Sequence, residues 1–375
     1  MSASFKRFIH CADLHLESRM ESHLTRFQAQ TRRLELMHAF SLLADYAGRY
    51  DAIAVLISGD IFDTPCVSPT AARTFLQIIR DHSNIDFLCL PGNHDKELYT
   101  ILTATEDLPD NFFLLMSNPE KSHDNHILSH VTYDDITIAG LTDSPDTLPV
   151  LPYDGINLVM LHGQLSDQIS FGNDGSILTY PRRSLIERNI DYIAAGHIHS
   201  HYKEKLDDRT EFCHSGCLEG RGFDECGPKG FINLTITDHV EAVFQPFSSR
   251  TFEPPRLSLT DIKNDMELSE TARELLANYE SSSLIRLTLT GSCDPAFPLH
   301  PDWLTDRYSS VFYHFQLDKS QLKTEVSSPL KGDLSLRGEF IKQVMQDDKL
   351  SEEMKAHIIE TGLLALSGEE VRFKL

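Results

Sequence analysis

AIAVLISGDIFD, residues 52–63, is the stretch on which the reading of the fold turns. Ala52 to Ser58 is a short, nearly continuous apolar run, as in a strand buried on both faces, and it stops at Gly59-Asp60. The glycine permits a positive φ or a close backbone approach, and the aspartate adds two carboxylate oxygens at the strand's end. Upstream, Leu36, Phe40, Leu43 and Ala47 recur at helical spacing, preceded by the apolar run Phe5 to Cys11. Downstream the unit repeats, with a helix over Thr70 to Asp81, a strand over Ile85 to Leu90 and a turn at Gly92. Strands alternating with helices, with polar residues where each strand stops, predict an α/β layer carrying its site along the strand ends.

From about residue 126 short alternating runs take over: Ile127 to Tyr133, Ile136 to Leu141, Ile156 to Leu161, Ile190 to Ala195, Phe231 to Ile236 and Val240 to Phe244. They predict a second, largely antiparallel sheet packed on the first, with helical pattern surviving near Pro181 to Arg188. A break at Phe247 to Pro255 (FSSRTFEPP) reads as a linker, so the main domain is placed at residues 1–250. A helix over Asp261 to Ala277 and strands over Leu284 to Thr290 and Val311 to Leu317 then suggest a small α+β domain over 251–327. After a hinge at Ser327 to Gly332 come two helical stretches in 328–375, striped by Leu336, Phe340 and Val344 and by Met354, Ile358, Ile359, Leu363 and Leu366.

Composition narrows the class. The chain has 375 residues, long enough for two domains, and no apolar window nears the roughly 18 to 20 residues of a membrane helix. Met1 to Lys6 lead into a strand without a signal-peptide core, so a cytoplasmic protein without membrane contact is expected. Seven cysteines without a CxxC pair argue against a disulfide framework. Thirty-four Lys plus Arg against 56 Asp plus Glu give a formal charge of −22, which opposes broad contact with a polyanion. Bound divalent cations would reverse the field only locally.

Five motifs carry the chemistry. Asp13-Leu14-His15 sets a carboxylate and an imidazole at i and i+2 past a strand, where both can reach one cation; alone it reads better as a solvated turn. Asp60 can bridge two cations roughly 3.5 to 4 Å apart. Asp63 reads as a helix N-cap or a supporting group rather than a direct ligand. In Gly92-Asn93-His94-Asp95, Asn93 is a neutral oxygen ligand and His94 a general acid or transition-state donor. Asp95 would orient His94, accept from a backbone amide or serve as a plain turn residue. Leu161-His162-Gly163 and Gly196-His197-Ile198-His199 complete a donor set suited to two metals. Lys96, Arg182, Arg183, Arg221 and Lys229 are candidates for receiving phosphate or for plain solvated charges.

The set DLH, GDIFD, GNHD, LHG and GHIH resembles the calcineurin-like metallophosphoesterases. FIHCADLHLES, LISGDIFD, LPGNHD and AAGHIH are similar to the DNA-repair exonuclease branch of SbcD and YhaO type, and Ser215 to Arg221 with Gly227 to Gly230 to its YhaO-like members. The resemblance spans roughly residues 5 to 246. It implies an α/β (α+β) fold, a four-layer α-β-β-α sandwich followed by a smaller C-terminal α+β cap domain. It places one metal on Asp13, His15, Asp60 and His199, the other on Asp60, Asn93, His162 and His197, with Asp60 bridging and His94 catalytic. It favours Mn²⁺, and where some nucleases of the group carry a histidine this chain has Asp63. The implied function is a metal-dependent phosphodiesterase, a DNA exo/endonuclease subunit using a two-metal activated hydroxide. Implied partners are DNA and a coiled-coil ATPase of SMC type docked on the C-terminal region, with a homodimer formed through helices such as that around Leu36 to Ala47. A phosphodiesterase for a small-molecule or cyclic-nucleotide ester is the alternative reading.

Overall fold

A computed structural model describes residues 5–20, 24–63, 67–95, 97–119, 125–167, 172–173, 177–293, 299–324 and 335–366. Contacts divide the chain into two units, Met1–Thr251 and Phe252–Leu375.

The first unit begins with β1 (Lys6–Cys11), α1 (Arg26–Arg49), β2 (Ala54–Ser58), α2 (Pro69–Asp81), β3 (Asp86–Leu90), α3 (Leu98–Thr103), β4 (Phe112–Leu115) and β5 (Ile127–Leu128). β1 to β5 run parallel and side by side. β15 (Gly230–Ile236) joins antiparallel beside β1, and β16 (Val240–Pro246) lies antiparallel beyond it, closing a seven-stranded sheet. Every residue of β2 is buried, yet the period of two still sorts its side chains. Val55 and Ile57 join a core with Leu36, Phe40 and Leu43 of α1 and Phe75 and Ile79 of α2, while Ala54 and Leu56 turn to the opposite face.

That opposite face packs on a second sheet. Its strands are β6 (His130–Tyr133), β7 (Ile136–Leu141), β8 (Ile156–His162), β12 (Tyr192–Gly196), β13 (Tyr202–Lys205) and β14 (Glu211–His214), in the order β13-β14-β12-β8-β7-β6. Phe8, Leu56 and Leu88 from the first sheet meet Ile138, Leu158, Met160 and Tyr192 from the second. The outer face of this sheet is covered by Leu151, Tyr180, Leu185 and Ile190, partly from a short three-stranded sheet of β9 (Gln164–Ser166), β10 (Gly172–Asn173) and β11 (Leu178–Pro181). The architecture is thus the mixed α/β sandwich expected.

Several expectations fail. The second sheet is not largely antiparallel: β7, β8, β12 and β14 are all parallel, and only the edge strands β6 and β13 run against their neighbours. Burial on both faces explains this, since β8 and β12 are buried throughout, and such strands need no polar face to alternate with. The run Ile127 to Tyr133 also divides, β5 going to the first sheet and β6 to the second, and the runs Phe231 to Ile236 and Val240 to Phe244 become β15 and β16 of the first sheet rather than strands of the second. The helical pattern near Pro181 to Arg188 yields only a 3-10 turn, Arg182–Ser184.

In the second unit, β17 (Phe252–Glu253) and β18 (Arg256–Ser258) pair parallel with β19 (Leu284–Cys293), which pairs parallel with β20 (His314–Thr324). α4 (Asp265–Leu276) and α5 (Trp303–Tyr308) close its core through Leu268, Ala272, Leu276 and Leu304. α6 (Leu336–Met345) and α7 (Glu352–Leu366) meet through Ile341, Ile359 and Leu363. The hinge read at Ser327 to Gly332 lies outside the described residues. No helix among the described residues is long and apolar enough to cross a membrane.

Candidate metal centre

Parallel register brings the motifs together. Cys11 pairs with Ile57 and Ile57 with Cys89, so the turns after β1, β2 and β3 leave from one edge of the first sheet. On the second sheet His162 pairs with Gly196, setting the histidine motifs side by side. The two sheets are tied at this level: Ser58 Oγ donates to the Ala194 carbonyl at 2.9 Å, and His162 Nδ1 lies 2.9 Å from the Ser58 carbonyl. Asp13 N donates to Gly59 O and His15 N to Asp60 O, each at 3.0 Å, clamping the first two turns together.

The backbone is strained where the donors sit. Asp13, His15, Asp60 and His197 have φ of 52°, 44°, 52° and 95°, left-handed values that cost a non-glycine residue on the order of 1–3 kcal/mol. Gly92 shows how tight the turns are: a Cβ there would lie 2.0 Å from Asp60 Oδ1.

Asp13, His15 and His199 converge in one group, and Asp13, Asp60 and His162 in an adjoining one. In the first, His15 Nε2 and His199 Nε2 stand 3.1 Å apart, with Asp60 Oδ2 3.8 Å from His15 Nε2. Their Nδ1 atoms face carboxylates, Asp63 Oδ1 at 2.9 Å for His15 and Glu225 Oε1 at 2.6 Å for His199. The protons therefore belong on Nδ1, and the two Nε2 lone pairs point at each other. Two nitrogens each about 2.1 Å from one cation are separated by roughly 3.0 to 3.4 Å, so the spacing suits a shared ion.

The second group makes the same demand. His162 gives its Nδ1 proton to Ser58, leaving the Nε2 lone pair facing Asn93 Oδ1 at 2.9 Å and Asp60 Oδ2 at 3.4 Å. Three acceptors cannot converge unless something positive lies between them. The local electrostatics make the same demand: burial resists a second proton on His162, yet the neighbouring Asp60 carboxylate raises its pKa to about 9. Burial alone would push the Asp60 carboxyl up, but hydrogen bonding and charge from His162, then the His15 charge, hold it well below the usual range. The donor set, hard oxygens mixed with imidazole, fits a divalent cation in each group. His197 lies beside this group, its ring 5.5 Å from that of His162 and its backbone N–H 3.0 Å from both oxygens of Asp13.

His94 sits at the exposed rim, 44% of its side chain open to solvent, with its ring edge-on to His15 at 5.2 Å. Its backbone N–H donates to Asp60 Oδ1 at 2.9 Å. Asp95 does not reach the His94 ring; it is buried and accepts from Gly92, Ile61 and Phe62 N–H groups at 2.7, 2.7 and 3.3 Å, knitting two turns together. Burial and then the Asp60 charge raise its pKa to about 6.

Asp63 is not the cap of α2, a role taken by Ser68, whose side chain accepts from Ala71 N. It instead touches His15 and Arg221, the latter at 2.9 Å. Lys229 is buried and donates to the His199 carbonyl at 2.8 Å, while Arg182 pairs with Glu204 and Asp167; neither stands free for phosphate. Lys96 lies outside the described residues. Glu225 escaped the sequence reading, its only signal being its place in the charged segment that also holds Arg221 and Lys229.

No curated protein matches the chain. Among solved structures, a dimetal phosphatase from Danio rerio aligns at 11% identity and a TM-score of 0.38, covering 63% of this chain and 95% of that one. A protein of Thermus thermophilus aligns at 10% identity and a TM-score of 0.33, covering 62% and 99%. The profile described as Calcineurin-like phosphoesterase matches residues 6–201, just over half the sequence and the part that supplies every converging donor above. The chain belongs to the calcineurin-like phosphoesterase family.

Proposed function

We propose that this chain is a phosphodiesterase that cleaves DNA, an exo- or endonuclease subunit of a repair system, working with two Mn²⁺ ions. The observation that carries the hydrolytic part is the pair of converging lone-pair sites beneath one exposed imidazole. Asp13, His15 and His199 would hold one cation and Asp60, Asn93, His162 and His197 the other, with Asp60 placed between. When bound, two such ions supply Lewis acidity, offsetting negative charge on the phosphoryl oxygens and acidifying the attacking water.

The chain's own groups do the rest. Asn93 contributes an oxygen without adding charge opposite an anionic ester. His94, tethered by its backbone to Asp60 and open to solvent, is in position to give a hydrogen bond or a proton to the leaving oxygen. The buried walls around Asp13 and Asp60 exclude water and keep the electrostatics strong.

Support for DNA is the sequence likeness around the motifs to the SbcD and YhaO type. On this reading α6 and α7 serve as the docking region for a coiled-coil ATPase subunit, and the protein works in the cytoplasm. The −22 formal charge favours the second reading, a small-molecule phosphodiester. Mn²⁺-dependent cleavage of linear duplex and single-stranded DNA, compared with a chromogenic diester, separates the two. Turnover of the small ester with no DNA cleavage under any metal would overturn the nuclease assignment. Loss of partner capture on deleting residues after Gly332 would support the docking role, and unchanged capture would remove it.

A further inference from the structure

The two histidines that share the first cation position are each backed by a carboxylate, and one arginine grips both carboxylates. Arg221 Nη1 donates to Asp63 Oδ1 at 2.9 Å, while its Nε and Nη2 donate to Glu225 Oε1 at 3.1 and 2.8 Å. The Arg221 backbone N–H adds a bond to Glu225 Oε2 at 2.8 Å. Glu225 in turn meets His199 Nδ1 at 2.6 Å, and Asp63 Oδ1 lies 2.9 Å from His15 Nδ1, off the ideal hydrogen-bond line. A carboxylate accepts only, so the Nδ1 proton is held on His199 by a hydrogen bond and on His15 by the nearby charge, and Nε2 is left to face the metal in both rings.

The arginine has a second use. Free to rotate, either carboxylate could turn away from the imidazole it backs and leave that ring's orientation loose. Arg221 holds Asp63 Oδ1 and Glu225 Oε1 in place, and its planar fork fixes the separation of the two groups. The segment that carries it is anchored by buried charge. Arg32 of α1, fully buried, donates to Glu219 Oε2 and to the Gly220 carbonyl, both at 2.9 Å, and Ser249 N–H donates to Glu219 Oε1 at 2.6 Å. At the far end of the segment buried Lys229 holds the His199 carbonyl at 2.8 Å.

We infer that Asp63, Arg221 and Glu225 form a positioning brace for His15 and His199 that sets how tightly this one cation position is held, without touching substrate. The inference rests on the two-metal reading of the family site. It also moves Arg221 from the phosphate-receiving groups to the supporting ones.

The test is a calorimetric titration of the metal-free full chain with Mn²⁺ alone, alongside a melting curve of each metal-free variant. The parent should take up two ions. Glu225→Gln and Arg221→Ala should weaken one ion by about 10- to 100-fold and leave the other at parental affinity. Arg221→Lys, which keeps the charge but loses the fork, should fall between. If Glu225→Gln fails to fold, Arg221→Lys and Asp63→Asn carry the same comparison. Folded variants that bind both ions with parental affinities, or that weaken both equally, overturn the brace while leaving the two-metal site intact. A parent that binds no Mn²⁺ overturns the metal centre itself, and the brace with it.

Discussion

His94 and Asp60 are joined by one hydrogen bond, yet their removal should have different consequences. His94→Ala deletes an exposed ring that gathers with His15 and Asp63 at the rim but belongs to neither donor group that includes Asp13, so two-ion uptake should survive while kcat falls by about 10² to 10⁴. A variant that turns over a chromogenic diester at the parental rate would refute that role. Asp60→Asn removes charge from the carboxylate whose Oδ2 lies near Nε2 of both His15 and His162, at 3.8 and 3.4 Å, so it should lose at least one ion in the same titration. The donor types were readable in the sequence because chemistry names them. What was not readable was the backbone: nothing in Asp13-Leu14-His15 announces a left-handed φ at both ends, since non-glycine residues adopt it only when the surroundings force it. Glu225 was missed for a related reason, since it reaches His199 across 26 positions and no local spacing marks such a pair.

The turns and strands translate that residue chemistry into a fixed site. Gly92 belongs to the turn after β3, and Gly92→Ala would drive a methyl group into Asp60. The expected result is a folded protein with weakened ion binding, read by titration, whereas parental binding would mean that the turn shifts freely. On the strands, Leu56 faces the core between the sheets and is fully buried, so Leu56→Ala should cost about 2–5 kcal/mol in denaturant unfolding of the metal-free chain. β2 was legible because an apolar run ending in Gly-Asp has few other readings. The direction of the second sheet was not, since parallel and antiparallel strands buried on both faces carry the same residues and only the connections tell them apart. Asp63 was open to the capping reading because Ser68, the residue that caps α2, lies five positions further on and is equally suited to the task.

At the scale of the whole molecule, charge and burial respond to acid in opposite senses. Acidification neutralises part of the −22 charge and relieves self-repulsion, but it also protonates histidines that folding keeps neutral. His10 is the clearest of these, fully buried in β1 with Nδ1 2.8 Å from the Tyr192 hydroxyl. Burial first, then the nearby His214, depress its pKa from 6.5 to about 3. Between those values the unfolded chain binds a proton that the folded chain refuses, so the contribution is intact above pH 6.5 and is lost as pH falls toward 3. At about 1.4 kcal/mol per unit, this single group should remove about 2 kcal/mol between roughly pH 8 and pH 5, a window in which most exposed carboxylates stay ionised. Other titrating groups, Asp95 and His162 among them, act in parent and variant alike, so the comparison with His10→Asn isolates the term. Melting curves of the metal-free proteins at about pH 8, 6.5 and 5 should show the parent losing stability more steeply than His10→Asn. Parallel slopes would mean that His10 takes its proton without unfolding the sheet, and that the inter-sheet core tolerates a charge at its centre.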